Sequence, residues 1–391
     1  MPQEIKSLYI TFDGMTDPLG RAQVLPYLED LSKNNIRFYL ISLEKDLGKA
    51  KELSKTIEDA GIAWYRLKYF KHSPLLMAFN VLRCFLVSFY VVASQKIEII
   101  HCRSYLPLFS VFLLKKIFKV KIIFDTRGFW IEGLVDIGRI KKDSIYYKVL
   151  KFLEKRSILM SDYLITLTPE SEEIFKSIYS GAKFKTAWMP TCVDTAKFQN
   201  SRPVGANGEF VVVYSGSLLN YYNVPAMADF FNALKEKIKK AHFLILANNG
   251  VENAREFFRQ KGIDEGDYTI LNVDPENVPG YLLGSDIAVS FIYDFYFGKA
   301  SFPTKLAEYL ACGLPVVANT QSKFIKDLVE NNKIGTIVEK FDSAHLHEAA
   351  EKLSLLLQDS DLKSRCREMA KKYLAKNVCS NKYLEIYREL E

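Results

Sequence analysis

A stretch that begins at Ala300, ASFPTKLAEYLACGLPVVAN, brings together residue types that can hold a phosphate group. Ser301 or Thr304 can cap a helix that begins near Thr304, and Pro303 is tolerated there because no hydrogen bond is lost in a first turn. The free backbone N–H groups and the dipole at such a helix end attract anions, most often phosphate. Lys305 adds a full positive charge. We therefore expect an anion site at this end of the helix.

Glu308 extends this site toward a second ligand group. It follows Thr304 by four residues, so both side chains lie on one helix face, one turn or about 6 Å apart. At that distance from a phosphate, a carboxylate suits the two neighbouring hydroxyls of a ribose. Gly313 and Pro315 then end the helix. The alternative is that Glu308 and Lys305 are solvent-facing neighbours, as composition alone would favour.

The elements that must position this site are strands alternating with helices. Two such series, separated by a proline-bearing connector, predict an α/β protein with two Rossmann-like domains, each a parallel sheet with helices on both faces. Residues 22–33 predict the first helix, with Val24, Leu25, Leu28 and Leu31 on one face. The apolar runs interpreted as strands are 7–13, 37–44, 97–102, 121–126 and 162–168, then 210–216, 242–248, 268–273, 286–292 and 314–319.

Charge is distributed unevenly along the chain. The net charge of +7 divides into +9 for residues 1–200 (30 Lys and Arg against 21 Asp and Glu) and −2 for residues 201–391 (23 against 25). A basic half predicts an anionic partner, either nucleic acid or an anionic membrane surface. Because the chain lacks an aromatic-plus-basic stacking motif, we expect no nucleic acid.

Residues 75–93 form a nearly apolar run of nineteen residues. Arg83 lies near its centre and would cost about 3 kcal/mol on membrane insertion, so a transmembrane helix is disfavoured. We favour a helix buried between the first sheet and its neighbours; the alternative is a helix that partly enters a membrane surface. The next run, 106–121, mixes Phe and Leu with four lysines, which suits an interfacial segment and a lysine-rimmed core helix equally well.

The first residues, MPQEIKSLYITFDG, show no basic segment followed by an apolar run. They do not resemble a secretory signal. We therefore expect a cytoplasmic protein, with a peripheral position on the inner face of the cytoplasmic membrane as the variant that the basic half favours.

Nearly the whole chain resembles family 4 glycosyltransferases of the GT-B fold. The stretch SFPTKLAEYLACGLPVV resembles the donor-site signature of that family. Five further motifs stand around it in the family's order. They are TDPLGRAQVLPYLEDLSKNNIRFYLIS (the glycine loop, helix and second strand), IEIIHCRSYLP (a strand end), IIFDTRGFW (the acceptor-side loop), MPTCVDTAKF (the entry to the interdomain linker) and YSGSL (the turn that opens the second domain).

This resemblance implies an acceptor-binding domain at 1–188, a linker at 189–209, a nucleotide-sugar-binding domain at 210–375 and a final helix at 376–391 that packs back on the first domain. The two domains would face each other across a cleft. Transfer usually retains the anomeric configuration and needs neither a metal nor another cofactor. The donor would be a UDP- or GDP-linked sugar.

The resemblance also assigns donor-binding roles. Glu308 takes the position of the ribose-binding carboxylate. The others are Ser301, Pro303 and Thr304 in the phosphate-side loop, Gly20 as a glycine that admits the donor phosphates, Gly216 as the turn glycine, and Asn272 and Val273 where backbone groups read the base.

Three features depart from the family pattern. The first of two glutamates, eight positions before Glu308, is Ala300 here. The arginine after the turn glycine is Ser217, and the lysine five positions further is Tyr222. The histidine of the acceptor-side loop is replaced by Arg127.

Breaking a sugar–diphosphate bond leaves negative charge on the phosphate, so other cations must replace the missing basic pair. We rank Lys305 first because it shares the helix tip, and Arg127 second because a guanidinium can contact two phosphate oxygens. The nearest cations by motif position are Lys305, Arg21, Arg127 and Lys299.

Several of these residues have a structural alternative. Arg127 would otherwise form an ion pair with Asp125 or Glu132. His101 and Asp125 complete the catalytic candidates, although a core histidine at a strand end is the slightly favoured interpretation of His101. Tyr222, together with Tyr221, would stack on the base or sugar or only cover the cleft.

Two functions remain. The first is a nucleotide-sugar-dependent glycosyltransferase that acts on a glycan or a polyprenyl-linked acceptor in surface polysaccharide synthesis. The second is a catalytically silent protein of the same fold that binds or scaffolds at the membrane surface. The altered residues at positions 300, 217 and 222 favour the second, and the intact stretch from Ser301 to Glu308 favours the first.

Overall fold

The computed structural model describes residues 4–71, 73–204, 208–219 and 221–391. Residues 205–207 of the predicted linker therefore lie outside the described part. The chain forms two compact units, one made of residues 1–190 with 377–391 and the other of residues 191–376.

The first unit is a parallel sheet of seven strands within the described residues, in the order β3-β2-β1-β4-β5-β6-β7. The strands are β1 (Ile5–Thr11), β2 (Ile36–Glu44), β3 (Ala63–Lys68), β4 (Ile99–Arg103), β5 (Lys121–Asp125), β6 (Tyr163–Thr166) and β7 (Lys185–Trp188). The helices are α1 (Pro18–Gln23), α2 (Leu25–Ser32), α3 (Leu47–Asp59), α4 (Pro74–Gln95), α5 (Tyr105–Val111), α6 (Leu114–Ile117), α7 (Trp130–Asp136), α8 (Ile145–Met160) and α9 (Pro169–Ile178).

The second unit is a parallel sheet of six strands within the described residues, in the order β10-β9-β8-β11-β12-β13. Its elements begin with α10 (Thr195–Asn200), β8 (Phe210–Ser215), α11 (Val224–Lys237), β9 (Ala241–Leu246), α12 (Val251–Gln260), β10 (Tyr268–Leu271) and α13 (Val278–Leu283). They continue with β11 (Ile287–Ser290), α14 (Thr304–Cys312), β12 (Val316–Ala318), α15 (Lys323–Asn331), β13 (Gly335–Ile337), α16 (Ser343–Leu356) and α17 (Leu362–Tyr373).

These two sheets confirm the predicted α/β class with two parallel-sheet domains. Every predicted strand is present, but β3, β7 and β13 were not predicted. Each is an edge strand. β3 and β7 are only partly buried and so lack a continuous apolar run, while β13 has three residues.

The predicted helix at 22–33 is two helices. The backbone leaves the helical region at Val24, where φ is −126° and ψ is −66°, so α1 ends before α2 begins. The predicted inner face is nevertheless correct, because Val24, Leu25, Leu28 and Leu31 are all buried.

Helix α18 (Lys376–Leu390) packs on the first unit. The Tyr387 ring meets the Phe38 ring edge-on with centroids 5.7 Å apart. The Ser380 hydroxyl donates to the Asp30 carboxylate at 3.2 Å. The last helix of the chain thus contributes to the unit that contains the first strand.

The prediction that α4 is buried is wrong. Its inward side carries Asn80, Cys84 and Ser88, and most of its apolar residues face outward. The Asn80 amide donates to the Phe70 carbonyl at 2.7 Å and accepts from the Phe70 N–H at 3.3 Å, so the Asn80 side chain is satisfied within the unit. By length and composition alone α4 could also cross a membrane.

Gly20, in α1, packs against the backbone of Gly14. A methyl group at Gly20 would lie 2.0 Å from the Gly14 carbonyl oxygen. We expect Gly20→Ala to lower the free energy of unfolding by at least about 1–3 kcal/mol, because the two backbones must separate. Urea unfolding would measure this. Gly266→Ala is the control, since a methyl group there meets no atom within 4 Å; equal stability of both variants would contradict the packing role.

Candidate functional site

Helix α14 begins without a side-chain cap. Its N-cap residue is Pro303, and no side chain accepts a hydrogen bond from the first turn. The prediction that Ser301 or Thr304 caps the helix is therefore wrong. The Leu306 N–H donates to the Pro303 carbonyl at 3.1 Å, so the N–H groups of Thr304 and Lys305, which have no acceptor among the described residues, remain available to an anion. The predicted end is correct, since Gly313 adopts a φ of 83° and the Leu314 N–H donates to the Tyr309 carbonyl at 2.9 Å.

Lys305 does not lie at the solvent-exposed tip of α14. Its side chain is 6% exposed and reaches toward the end of β8. The ammonium group donates to the Tyr214 hydroxyl at 2.9 Å and lies 4.0 Å from the Tyr214 ring centroid and 3.6 Å from that of Tyr222. Two tyrosine rings therefore hold the cation by their π faces.

Gly216 brings the chain close to this ammonium group. The residue follows β8 with a φ of 126°, and a Cβ atom built on it would lie 2.9 Å from Lys305 Nζ. A side chain at this position would therefore both strain the backbone and press on the cation. Because Gly216 has no side chain, the space beside the Lys305 ammonium group is left unfilled at this turn.

Burial shifts the pKa values of both ionisable groups on α14, Lys305 and Glu308, toward their neutral forms. It lowers the pKa of Lys305 well below its usual range, and the Glu308 carboxylate only partly opposes that shift. It raises the pKa of Glu308, while Lys305 and then Lys197 lower it. Glu308 is half-buried, and among the described residues no hydrogen bond or ion pair occupies its carboxylate. A ligand could therefore supply the missing hydrogen-bond donors.

The departures from the family pattern have local explanations. Ala300 is fully buried, so a carboxylate at that position would be desolvated. Ser217 donates a hydrogen bond to the Asn249 side chain at 3.0 Å. Tyr222 stands where the family pattern has a lysine. The Lys305 ammonium group lies against the Tyr222 ring, so a positive charge is present beside that position.

The other donor-side candidates are spread along the same strand ends. Ser301 is half-buried and lines a small pocket with Pro303, beside Asn319 and Thr320. Lys299 is exposed, with its ammonium group 5.0 Å from the Tyr296 ring centroid. Asn272 and Val273 directly follow β10, at the edge of the sheet where the parallel strands end.

Tyr221 and Tyr222 have different surroundings. The Tyr221 ring contacts the Phe297 ring edge-on with centroids 4.5 Å apart. Tyr222 is part of the Lys305 cluster, where its ring meets Tyr214 at 5.7 Å. Tyr222 therefore stabilises the cation, a role that was not predicted.

The first unit holds a second cluster, which is centred on Asp125 at the end of β5. This carboxylate is fully buried and accepts a hydrogen bond from the Tyr383 hydroxyl at 2.8 Å. Arg103 Nη1 lies 3.8 Å and Arg127 Nη1 3.7 Å from its two oxygens. Arg103 also donates to Asp13 at 3.1 Å. The buried negative charge is thus balanced by two guanidinium groups.

Arg127 has an unusual backbone. Its φ of 54° is in the left-handed region, which a non-glycine residue adopts at a cost of about 1–3 kcal/mol. The ion pair with Asp125 that we considered as the alternative is present, whereas Glu132 pairs with Lys151 at 2.8 Å. The side chain is 16% exposed, so the ion pair orients a guanidinium group that still reaches the surface.

His101 is 1% exposed, so the favoured interpretation of a core histidine at a strand end is correct. The Tyr387 hydroxyl forms hydrogen bonds with the Ser7 hydroxyl at 3.3 Å and with His101 Nδ1 at 2.8 Å. The other ring nitrogen, Nε2, lies 4.0 Å from the Asp125 carboxylate. Both side chains are buried, so they can position the charged groups around them, and their catalytic assignments stay predictions.

The neutral state of His101 predicts a pH dependence. Burial lowers the pKa of His101 to about 4, although Asp125 opposes the shift. Since the unfolded chain binds this proton near pH 6.5, the free energy of unfolding should fall by up to roughly 3 kcal/mol as the pH drops from 6.5 to 4. Urea unfolding at a series of pH values would measure it. His101→Gln should flatten the slope relative to His345→Gln, a histidine of α16 whose side chain is 34% exposed; parallel slopes would contradict the prediction.

Gly20 and Arg21 belong to α1 of the first unit. Gly20 is buried against Gly14, as described above, which gives its missing side chain a packing role within the unit. Arg21 is exposed. Their predicted contact with donor phosphates stays a prediction.

Sequence reasoning missed four residues of these clusters. Tyr214 is in a predicted strand, where it resembles an ordinary strand residue, and Arg103 directly follows the predicted strand 97–102. Tyr383 and Tyr387 lie in α18, more than 250 positions after Asp125. A four-residue spacing of two tyrosines on one helix face was the available signal. Within the described residues, no group of three His, Cys, Asp or Glu side chains is arranged to hold a metal ion.

The comparisons with known proteins agree with this geometry. Residues 197–373 match the family model of the glycosyl transferases, group 1. The match supports a glycosyltransferase family and contains the whole stretch from Ser301 to Glu308. No curated protein matches the chain in sequence.

Solved structures resemble the chain over its full length. Sucrose-phosphate synthase from Thermosynechococcus elongatus is 16% identical with a TM-score of 0.74, over 99% of both chains. HepE from Anabaena, solved with UDP, is 15% identical with a TM-score of 0.70, over 98% of this chain and 100% of that one. WaaG, a glycosyltransferase of lipopolysaccharide biosynthesis, is 14% identical with a TM-score of 0.68, over 98% and 99%. At these identities the likeness establishes the fold.

Proposed function

We propose that this protein is a retaining family 4 glycosyltransferase that moves a sugar from a UDP- or GDP-linked donor to a glycan or a polyprenyl-linked acceptor. The observation that carries the proposal is the arrangement on α14. A buried ammonium group beside a glycine turn and an uncapped helix start suit the negative charge of a diphosphate. The carboxylate one turn further can accept hydrogen bonds from the hydroxyls of its ribose.

Lys305 would act on the leaving group. The bond between the sugar and the diphosphate breaks with its electron pair on the phosphate oxygen, and a nearby ammonium group stabilises that charge as it forms. The Tyr214 and Tyr222 rings hold the cation in place before the reaction, so it need not reorganise. Glu308 would bind the ribose hydroxyls. HepE structures with UDP and with UDP-glucose support a uridine donor.

Arg127 would serve the acceptor side of the first unit. Its guanidinium group is held by the buried Asp125 and remains partly exposed. An acceptor that carries a phosphate or diphosphate would meet a positive charge there. This is the support for a polyprenyl-linked acceptor, and we propose a cytoplasmic location together with it.

The catalytically silent alternative is favoured by the absence of the usual basic pair, at Ser217 and Tyr222. The buried Lys305 ammonium group weakens it, because a cation reaches the Tyr222 position from another element. A panel of UDP- and GDP-sugars with polyprenyl diphosphate and glycan acceptors would separate the two. We expect nucleotide release with one donor, unchanged by EDTA; binding without release for every pair would establish the silent protein.

A further inference from the structure

The outward side of α4 is a stripe of exposed apolar side chains. Leu75, Phe79, Leu82, Leu86 and Tyr90 recur at intervals of three and four residues and are between 46% and 82% exposed. A surface helix of a soluble domain normally turns its apolar stripe inward. In α4 the polar stripe of Asn80, Cys84 and Ser88 faces inward. Packing against the domain core therefore does not account for the apolar stripe.

Helix α8 shows a second stripe of the same kind. Ile145, Val149, Phe152 and Leu159 share one side of the helix and are between 46% and 78% exposed. Leu113 and Ile117, at either end of α6, add a further exposed pair at 45% and 60%. Scattered apolar residues on a surface are ordinary, but two apolar stripes with a further exposed pair are not.

The three helices adjoin one another. The Phe89 ring of α4 meets the Phe118 ring, just after α6, with centroids 5.4 Å apart. Lys115 of α6 donates to the carbonyl of Met160, the last residue of α8, at 2.9 Å. We call the exposed side chains of α4, α6 and α8 the apolar face. It consists of Leu75, Phe79, Leu82, Leu86, Phe89, Tyr90, Leu113, Ile117, Ile145, Val149, Phe152 and Leu159.

Positive charge surrounds the apolar face. Residues 60–124, which contain α4 and α6, carry ten Lys and Arg against a single acidic residue, Glu98. Lys116 and Lys119 beside α6 are exposed, as are Lys148 and Lys155 on α8. Lysine side chains at the border of an apolar surface can extend their stems over it and keep their charge in water.

We propose that the apolar face lies on the surface of an anionic lipid bilayer, with α4 and α8 parallel to the membrane plane. Leu and Phe side chains would enter the interface, Tyr90 would lie at headgroup depth, and the lysines would meet lipid phosphates. The proposal deepens the proposed function by bringing the enzyme to a lipid-linked acceptor, but its observations are independent of the donor site.

Charge argues against a second copy of this chain as the occupant. Two such faces packed together would bring two rims of lysines into contact, with Glu98 as the lone acidic residue of that segment to compensate. Like charges at a desolvated interface oppose association. A bilayer that contains anionic lipid offers both the apolar interior and the opposite charge.

Cosedimentation of the full chain with vesicles tests the proposal. The probes are vesicles of phosphatidylcholine alone and with roughly 30% phosphatidylglycerol, at about 0.1 M and about 0.5 M NaCl. We expect binding to the anionic vesicles at low salt and a loss of at least about half of it at high salt. Leu86→Glu combined with Phe152→Glu should lower the bound fraction at least about fivefold.

Leu355→Glu is the matched control, because Leu355 is 63% exposed on the second unit; it should bind as the wild type does. Lys116→Gln with Lys119→Gln should weaken binding to anionic vesicles without changing any apolar residue. Wild-type protein that stays in the supernatant with both vesicles would overturn the proposal. So would a dimer, measured by analytical ultracentrifugation, that Leu86→Glu dissociates.

UDP and GDP binding by the same proteins without vesicles keeps the two proposals apart. Vesicle binding by a protein that binds neither nucleotide would uphold the membrane surface and contradict the donor site. Nucleotide binding by a protein that does not bind vesicles would support the donor site and contradict the membrane surface. The Leu86→Glu and Phe152→Glu variant should bind nucleotide as the wild type does, which also shows that it is folded.

Discussion

Replacing Glu308 with glutamine is expected to weaken nucleotide binding by about 1–3 kcal/mol, or roughly 5- to 150-fold in Kd. The half-buried carboxylate has no protein partner among the described residues, so a bound ribose gains charge-assisted hydrogen bonds that an amide cannot match. Isothermal titration calorimetry with UDP and with GDP would measure the loss.

A measurement of stability separates the loss of nucleotide binding in Glu308→Gln from misfolding. Burial raises the pKa of Glu308, so the folded protein does not depend on its charge, and Glu308→Gln should unfold at the same urea concentration as the wild type or a higher one. Glu351→Gln, an exposed glutamate of α16, is the matched control for a lost carboxylate. Wild-type affinity for both nucleotides in Glu308→Gln would remove this residue from the site.

Lys305→Met is expected to lower kcat by about 10²–10³, and to lower it more than it weakens donor binding. Methionine fills the same volume between the two tyrosine rings but brings no charge to the leaving phosphate. Initial rates of nucleotide release over a range of donor concentrations would give kcat and KM. Equal losses in kcat and in donor affinity would mean that the lysine only binds the ground state.

Proton uptake offers a second measurement on Lys305. Burial lowers its pKa in the free protein, and a bound diphosphate must raise that pKa because opposite charges favour the charged form. Nucleotide binding should therefore take up a proton between the two pKa values, and affinity should rise as the pH falls through that window. Calorimetry in buffers of different ionisation enthalpy would detect the uptake, which Lys305→Met should lack and Lys340→Met, an exposed lysine, should keep.

The sequence predicted most of the fold because buried parallel strands are continuous apolar runs. β8 and β11 illustrate this, since both are recognisable without any knowledge of their neighbours. The strands that escaped prediction are at sheet edges, where one side lacks a partner and the apolar signal is shorter. Their existence depends on the rest of the sheet.

The site was predictable in part for a related reason. Thr304, Lys305 and Glu308 are neighbours along one helix, so their spacing carries the information. The direction of the Lys305 side chain does not follow from spacing, because it depends on Tyr214 and Tyr222, which lie more than 80 residues away. The polar inner side of α4 was also misjudged, since periodicity identifies two faces of a helix but not which of them meets the sheet.

Residues 377–391 complete the first unit, although they follow the whole second unit in the chain. Until the ribosome has added Tyr383 and Tyr387, Asp125 and His101 lack the hydroxyl groups that partner them in the finished protein. The first unit can therefore complete this buried polar cluster only after the whole second unit has been synthesised.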